Sequence, residues 1–184
     1  MALQRERLYT YQEWQKLDLG ERRAELINGR IYMMASVSPR HQAILGEMHR
    51  QLSNHLRGKR CKPFITLDVQ LENDTILIPD LIVICDPKKI TKSGCSGSPD
   101  LVVEILSPST SRHDRFTKLM LYQHAGVPEY WIVDPVDNTL TTHRLTEKGY
   151  TVSVYGDTDT ATVNALPDFV MDLSMIFIEE ENEA

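Results

Sequence analysis

The sequence predicts one mixed α/β (α+β) domain, a central β-sheet flanked by helices, with an N-terminal hairpin and a C-terminal β-meander. Three observations predict it. Apolar runs of strand length outnumber helical stripes. One long amphipathic stripe precedes the most apolar strands, and a second helix follows them at once. No repeat, low-complexity tract or linker interrupts the 184 residues, which suffice for one core without staples. The domain is expected to span residues 1–178. The acidic end, residues 179–184, reads as a disordered tail.

Thr10-Tyr11-Gln12-Glu13 is a capping box, and Trp14 and Leu17 follow at helical spacing, giving a short helix to about residue 18. Asn28-Gly29 between two apolar runs marks a hairpin. Ser38 caps a helix with Pro39 at its first position, and Ile44, Leu45, Met48, Leu52 and Leu56 form its buried stripe to about residue 57. Residues 64–71 alternate as a strand, and residues 75–85 read as another. Residues 86–98, with Lys88, Lys89, Lys92, Gly94 and Gly97, read as a mobile loop. After the strand around Glu104, the hydroxyls of residues 107–111 cap a helix over 112–125, which Gly126 ends and Pro128 keeps from continuing. Residues 129–134 form a strand with Tyr130 and Trp131 in the core. Strands near 140–145 and 150–155 form a peripheral meander, and residues 166–178 close the chain with a helical turn at 173–176.

The formal net charge of −6 and pI near 5.5 argue against a protein that coats nucleic acid by bulk charge. They leave room for an enzyme gripping it locally, through Arg57, Lys59, Arg60 and Lys62 and the lysines of residues 88–92. Cys61, Cys85 and Cys95 are odd in number and not closely spaced, so neither a disulfide framework nor a zinc site is expected, and a reducing cytoplasm fits. The first residues lack an apolar signal core, and no apolar run is long enough for a membrane.

Two acids carry the functional reading. Glu104 lies in the apolar run Leu101-Val102-Val103-Glu104-Ile105-Leu106, and Asp80 in Ile76-Leu77-Ile78-Pro79-Asp80-Leu81-Ile82. A buried carboxylate must be paired, protonated or bound to a metal. Strand period puts Glu104 on one face with Val102 and Leu106, and Asp80 on one face with Ile78 and Ile82. Neighbouring strands in register would bring the two acids together around one hard cation such as Mg²⁺. Asp114, Lys118 and Tyr122 follow at four-residue spacing, on one helix face. Spacing alone favours a surface pair of Asp114 with Lys118, and a lysine near the acids that holds water or stabilises phosphate charge is the other reading. Glu25 reads as a hairpin acid paired with Arg23 or Arg30. His41 reads first as a capping or hydrogen-bonded histidine.

Pro79-Asp80, followed after a loop by Glu104-Ile105-Leu106, resembles the PD-(D/E)XK nuclease superfamily. The ordered series Glu25-Leu26-Ile27-Asn28-Gly29, His41, Pro79-Asp80, Leu101 through Ser109, Asp114, Lys118, Tyr122 and Gly126-Val127-Pro128-Glu129-Tyr130-Trp131 resembles the Uma-two family of endonucleases, over nearly the whole chain. The resemblance implies a restriction-endonuclease-like fold and metal-dependent hydrolysis of DNA. It implies Mg²⁺ or Mn²⁺ held by Asp80, Glu104 and the Ile105 carbonyl, and a homodimer. Leu106 occupies the place of the superfamily's lysine. The resemblance moves that function to Lys118, which with Asp80 and Glu104 makes the expected catalytic set; Glu25, His41, Asp114 and Tyr122 are expected accessories. The alternative is a catalytically inactive interaction or regulatory module on the same fold, which the acidic charge and the displaced lysine favour. Hydrolysis of a small phosphoester is a third reading.

Overall fold

The structure, a computed structural model, describes residues 7–19, 23–34, 36–107 and 113–177. Helix α1 (Tyr11–Trp14) carries the expected capping box, Thr10 accepting from the Glu13 N–H while the Glu13 carboxylate accepts from the Thr10 N–H. It stops after one turn, short of residue 18, because it buries no side chain that would extend it. Strands β1 (Ala24–Ile27) and β2 (Arg30–Met33) pair antiparallel across Asn28 and Gly29, whose φ of 49° and 77° are those the two-residue turn requires. Helix α2 (Pro39–Leu56) starts at Ser38, whose side chain accepts from the His41 N–H, and buries Ile44, Leu45, Met48, Leu52 and Leu56. Each such side chain contributes about 1.5–3 kcal/mol of burial as an upper bound.

Two expected single strands are each broken. Residues 64–71 divide into β3 (Lys62–Ile65) and β4 (Val69–Glu72), with Thr66 at φ 47° between them. Residues 75–85 divide into β5 (Thr75–Leu77) and β6 (Leu81–Ile84), with Ile78-Pro79-Asp80 outside both. Proline cannot donate to a ladder, so a continuous strand through Pro79 would lose a bond. The 86–98 segment is ordered structure, contrary to expectation. A 3₁₀ turn (Pro87–Lys89) is capped by Asp86, and β7 (Ile90–Thr91) and β8 (Gly94–Ser96) follow. Its order comes from distant pairing, Val69 with Cys95, and only glycine fits at Gly94 (φ 143°), where a Cβ would lie 2.2 Å from the Asp68 carbonyl oxygen.

Strand β9 (Leu101–Ile105) carries Glu104. The expected cap at residues 108–111 and helix start at 112 lie outside the described residues. From His113 to Lys118 the helix is π-helical, then α-helical as α3 (Leu119–His124), ending at Gly126 with φ 74°. Strands β10 (Glu129–Asp134), β11 (Thr139–Thr146) and β12 (Gly149–Tyr155) follow, then the hairpin β13 (Thr160–Val163) and β14 (Leu166–Asp172) and a 3₁₀ turn at Leu173–Met175. The sequence does not predict β13. The tail lies outside the described residues.

One six-stranded sheet has the order β12-β11-β10-β9-β6-β3, so the meander extends the central sheet; the second has the order β2-β1-β5-β4-β8-β7. The broken strands explain the pair, since β3 and β6 join the first sheet while β4 and β5 join the second. Helix α2 and the β13–β14 hairpin pack on the face of the first sheet carrying Leu81, Val83, Leu101, Val103 and Trp131. The opposite face, with Ile82, Val102, Tyr130 and Ile132, packs against Ile27, Val69 and Leu77 of the second sheet and Tyr122 of α3. Glu104 lies on this second face.

The cysteine expectation is overturned for one pair. Cys61 and Cys85 form a disulfide, brought together because Lys62 pairs with Ile84 across β3 and β6. Cys95 is free and buried, its thiol pushed up to about 11 by burial. Among the described residues no helix is long and apolar enough to cross a membrane.

Candidate active site

Pairing of Leu81 with Val103 and Ile82 with Val102, carried one step further, sets Asp80 opposite Glu104. Having left the strand at Pro79, Asp80 is free to turn back on it: Oδ2 accepts the Ile105 N–H at 2.7 Å. His41, in the first turn of α2, lies with Nε2 at 3.2 Å from the same oxygen. An ionised carboxylate can only accept, so the ring donates here. His41 Nδ1 is buried and has no hydrogen-bond partner among the described residues.

Lys118 enters from the last residue of the π-helical stretch. Its Nζ lies 2.9 Å from Glu104 Oε1, 2.9 Å from Glu25 Oε1 and 3.3 Å from Asp114 Oδ1. The sequence leaves Asp114–Lys118 as a surface pair or part of a site; it is buried, at the centre of a cage. Tyr122, one turn on, donates to Glu104 Oε1 at 3.0 Å. Glu25 pairs with neither Arg23 nor Arg30 but accepts the Ile78 N–H at 2.9 Å, tying β1 to the break before Pro79. All seven expected side chains therefore meet in one place, from both sheets and both long helical elements.

Their electrostatics follow from burial. Glu104 is held well above the ordinary carboxylate value of 4.5, first by burial and then by the negative charge of Asp114, Asp80 and Glu25, against the pull of Lys118. Burial disfavours the Lys118 ammonium, but Glu104, Glu25 and Asp114 outweigh it and the lysine titrates well above 10.5. Burial, then the charge of Glu104, pushes the Tyr122 phenol up, so it stays a donor. The site thus sets four carboxylates against one certain cation.

A cavity of about 300 Å³ opens above them, lined by Asp80, Glu104, Lys118 and, on its outer wall, Tyr32, Met33 and Val37. Hydrogen bonds to described residues use only Oδ2 of Asp80 and only Oε1 of Glu104, so each acid keeps a second oxygen for another partner. No cluster of three or more His, Cys, Asp or Glu side chains with metal-holding geometry occurs among the described residues. The oxygens left open at the cavity are one each on Asp80 and Glu104, to which water could add. That all-oxygen set fits a small hard divalent cation that keeps several waters.

The cations expected to grip nucleic acid are elsewhere. Lys62 pairs with Ile84, the end of β6 away from Asp80, roughly 13 Å along the strand. Two groups escaped the sequence reading. The outer wall could have been found from β2, because Glu25 pairs with Tyr32 and cross-strand partners share a face. Glu129, fully buried in β10, is an acid in an apolar run like Glu104, and the same argument applies to it.

Comparison with known proteins gives the family and the fold. The family model Uma2, described as "Putative restriction endonuclease", matches residues 8–174. "Uncharacterized protein slr1290" of Synechocystis is 34% identical over 116 residues, 62% of this chain and 60% of that protein, so the chain's match spans about three-fifths of that relative. A crystal structure of "a putative nuclease belonging to DUF820" from Anabaena variabilis superposes with a TM-score of 0.77 at 21% identity, over 92% of this chain and 97% of that one. At that identity the likeness is one of fold.

Proposed function

The chain belongs to the Uma2 family and has a restriction-endonuclease-like fold, and from that premise we propose that it is an endonuclease hydrolysing phosphodiester bonds in DNA. The observation that carries the reading is the meeting of Glu104, Asp80 and Lys118 beneath an open cavity, with one oxygen of each acid uncommitted. In the reaction a water oxygen bonds to phosphorus, one ester P–O bond breaks, and the proton lost by water is balanced by one gained on the leaving oxygen. Asp80 and Glu104 would hold Mg²⁺ or Mn²⁺ with the Ile105 carbonyl, and a bound ion supplies Lewis-acid stabilisation of phosphate charge and a more acidic water. His41 and the Ile105 N–H fix the Asp80 carboxylate. Tyr122 and Lys118 fix that of Glu104. Lys118 faces the cavity as a permanent cation, suited to stabilising charge on the phosphoryl oxygens. Asp114 and Glu25 hold the ammonium in place.

The test is cleavage of plasmid and oligonucleotide DNA with added Mg²⁺ or Mn²⁺, alongside Asp80→Ala and Glu104→Ala. Full activity in either variant overturns the assignment. One observation favours the second reading, an inactive interaction module: three carboxylates already engage Lys118. Calorimetry separates the two, since absence of Mg²⁺ or Mn²⁺ binding at millimolar concentration would support the module. A cytoplasmic homodimer completes our reading. The Cys61–Cys85 bond is the observation that counts against the cytoplasmic half of that reading; thiol trapping in cells, where an oxidised pair would overturn that half, and sedimentation of the purified protein test the two parts.

A further inference from the structure

The reactive groups are sunken. Asp80 is 8% exposed, Glu104 4% and Lys118 5%, so a phosphodiester must descend into the cavity to reach them. The space is about 300 Å³, at the lower end of what holds one small molecule, and too little for two paired strands. Its outer wall is apolar and exposed: Tyr32 is 40% exposed, Met33 48% and Val37 43%. Lys118 is the one lysine or arginine among the described lining residues. An apolar, exposed wall suits the flat face of a base.

Register fixes the wall over the site. Tyr32 pairs with Glu25 across the β1–β2 hairpin, so its ring stands on the face from which Glu25 reaches Lys118. Resting on the hydrolytic reading above, we infer that the cavity takes an unpaired nucleotide of DNA, its base on the wall of Tyr32, Met33 and Val37 and its phosphodiester at Asp80 and Glu104. The preferred substrate is therefore single-stranded DNA or a flap, and Tyr32 is a specificity-determining residue.

The experiment uses oligonucleotides carrying 2-aminopurine, whose fluorescence is quenched when the base stacks, as single strand, flap and blunt duplex. Steady-state cleavage is measured with Mg²⁺, and binding with EDTA so that the strand stays whole. Single strand and flap are expected to show a KM at least about tenfold below that of the duplex. Tyr32→Ala is expected to raise KM for them by about tenfold, the lower range for loss of one stacked base, with kcat within about twofold. Tyr32→Phe should restore KM. Quenching should occur with the wild-type chain and Tyr32→Phe and vanish with Tyr32→Ala, at an unchanged thermal midpoint. Equal KM for duplex and single strand, or quenching indifferent to Tyr32→Ala, overturns the inference. Quenching without any cleavage would uphold the base seat and overturn the hydrolytic reading instead; cleavage that needs Asp80 without quenching would do the reverse.

Discussion

Two acids are buried in neighbouring strands of the same sheet, and they are treated differently. Glu129 on β10 is fully buried with both oxygens committed: Oε1 accepts from Trp131 Nε1 at 2.8 Å and Arg144 Nε at 3.1 Å, and Oε2 accepts the Asn164 N–H at 2.7 Å. Arg144 passes on to the Thr162 carbonyl at 2.5 Å, so Glu129 pins the β13–β14 hairpin to the sheet. No other carboxylate crowds it in that network. Glu104 on β9 shares one oxygen between Lys118 and Tyr122, leaves the other without a described partner, and feels three other acids. Saturation marks an acid that holds the fold; an unsaturated acid among like charges is retained at a cost to stability. That difference distinguishes the two acids more cleanly than burial does.

The largest expected effect breaks the comparison on the chemical side. Glu104→Gln and Asp80→Asn keep shape and hydrogen-bonding atoms, and each should lower the cleavage rate by at least about 10³-fold while the thermal midpoint changes little; a folded Glu104→Gln with unimpaired cleavage would erase the distinction. Next is the structural side. Glu129→Ala strands Arg144 and the Trp131 N–H and should destabilise by about 3 kcal/mol, a midpoint drop of roughly 6–12 °C, with cleavage unchanged below the transition. Denaturant melts and rates at low temperature measure both. Lys118→Met belongs to both categories. It leaves Glu25, Glu104 and Asp114 around an apolar end and should cost about 2–3 kcal/mol at neutral pH, together with the loss of cleavage. A stable, active Lys118→Met would show that the cage does not depend on its cation.

The smallest effect is a slope with pH. Because the Glu104 carboxyl is held above 4.5 in the fold, it binds its proton more tightly folded than unfolded. Its contribution to stability is fully present below 4.5 and is lost as pH rises through the raised folded value. Without added metal, the thermal midpoint should therefore fall over that window, and Glu104→Gln should flatten the fall. The same slope in Glu104→Gln would assign it to another group.

Much of this site was legible. Asp80, Glu104, Lys118, Glu25, His41, Asp114 and Tyr122 were all named from the sequence and its resemblance, and all converge. The Asn28-Gly29 turn, the Ser38-Pro39 start and the α2 stripe are local signals, and they held. What failed depends on contacts between distant segments. Alternation continues through Leu67 and an unbroken apolar run continues through Ile78, so the pattern runs on where the backbone turns off to a second sheet. Strands of two or three residues such as β7 and β8 have no period to read; only the pairing of β8 with β4, and of β7 with β8, makes them. The Cys61–Cys85 bond follows from a register set twenty-four residues apart in sequence. The π-helical turn that delivers Lys118 has no sequence signature comparable to a cap.

The break at residues 78–80 has one more consequence. Ile78 is bonded to Glu25 of one sheet, and Asp80 to Ile105 of the other, with only Pro79 between them. The groups of the candidate site come together only when both sheets are docked, so assembly of the fold and assembly of the site are a single cooperative event. A partly folded chain would hold the acids apart and be inert toward nucleic acid. The edge strands β7 and β12 lie three strands or more from that seam and take no part in it.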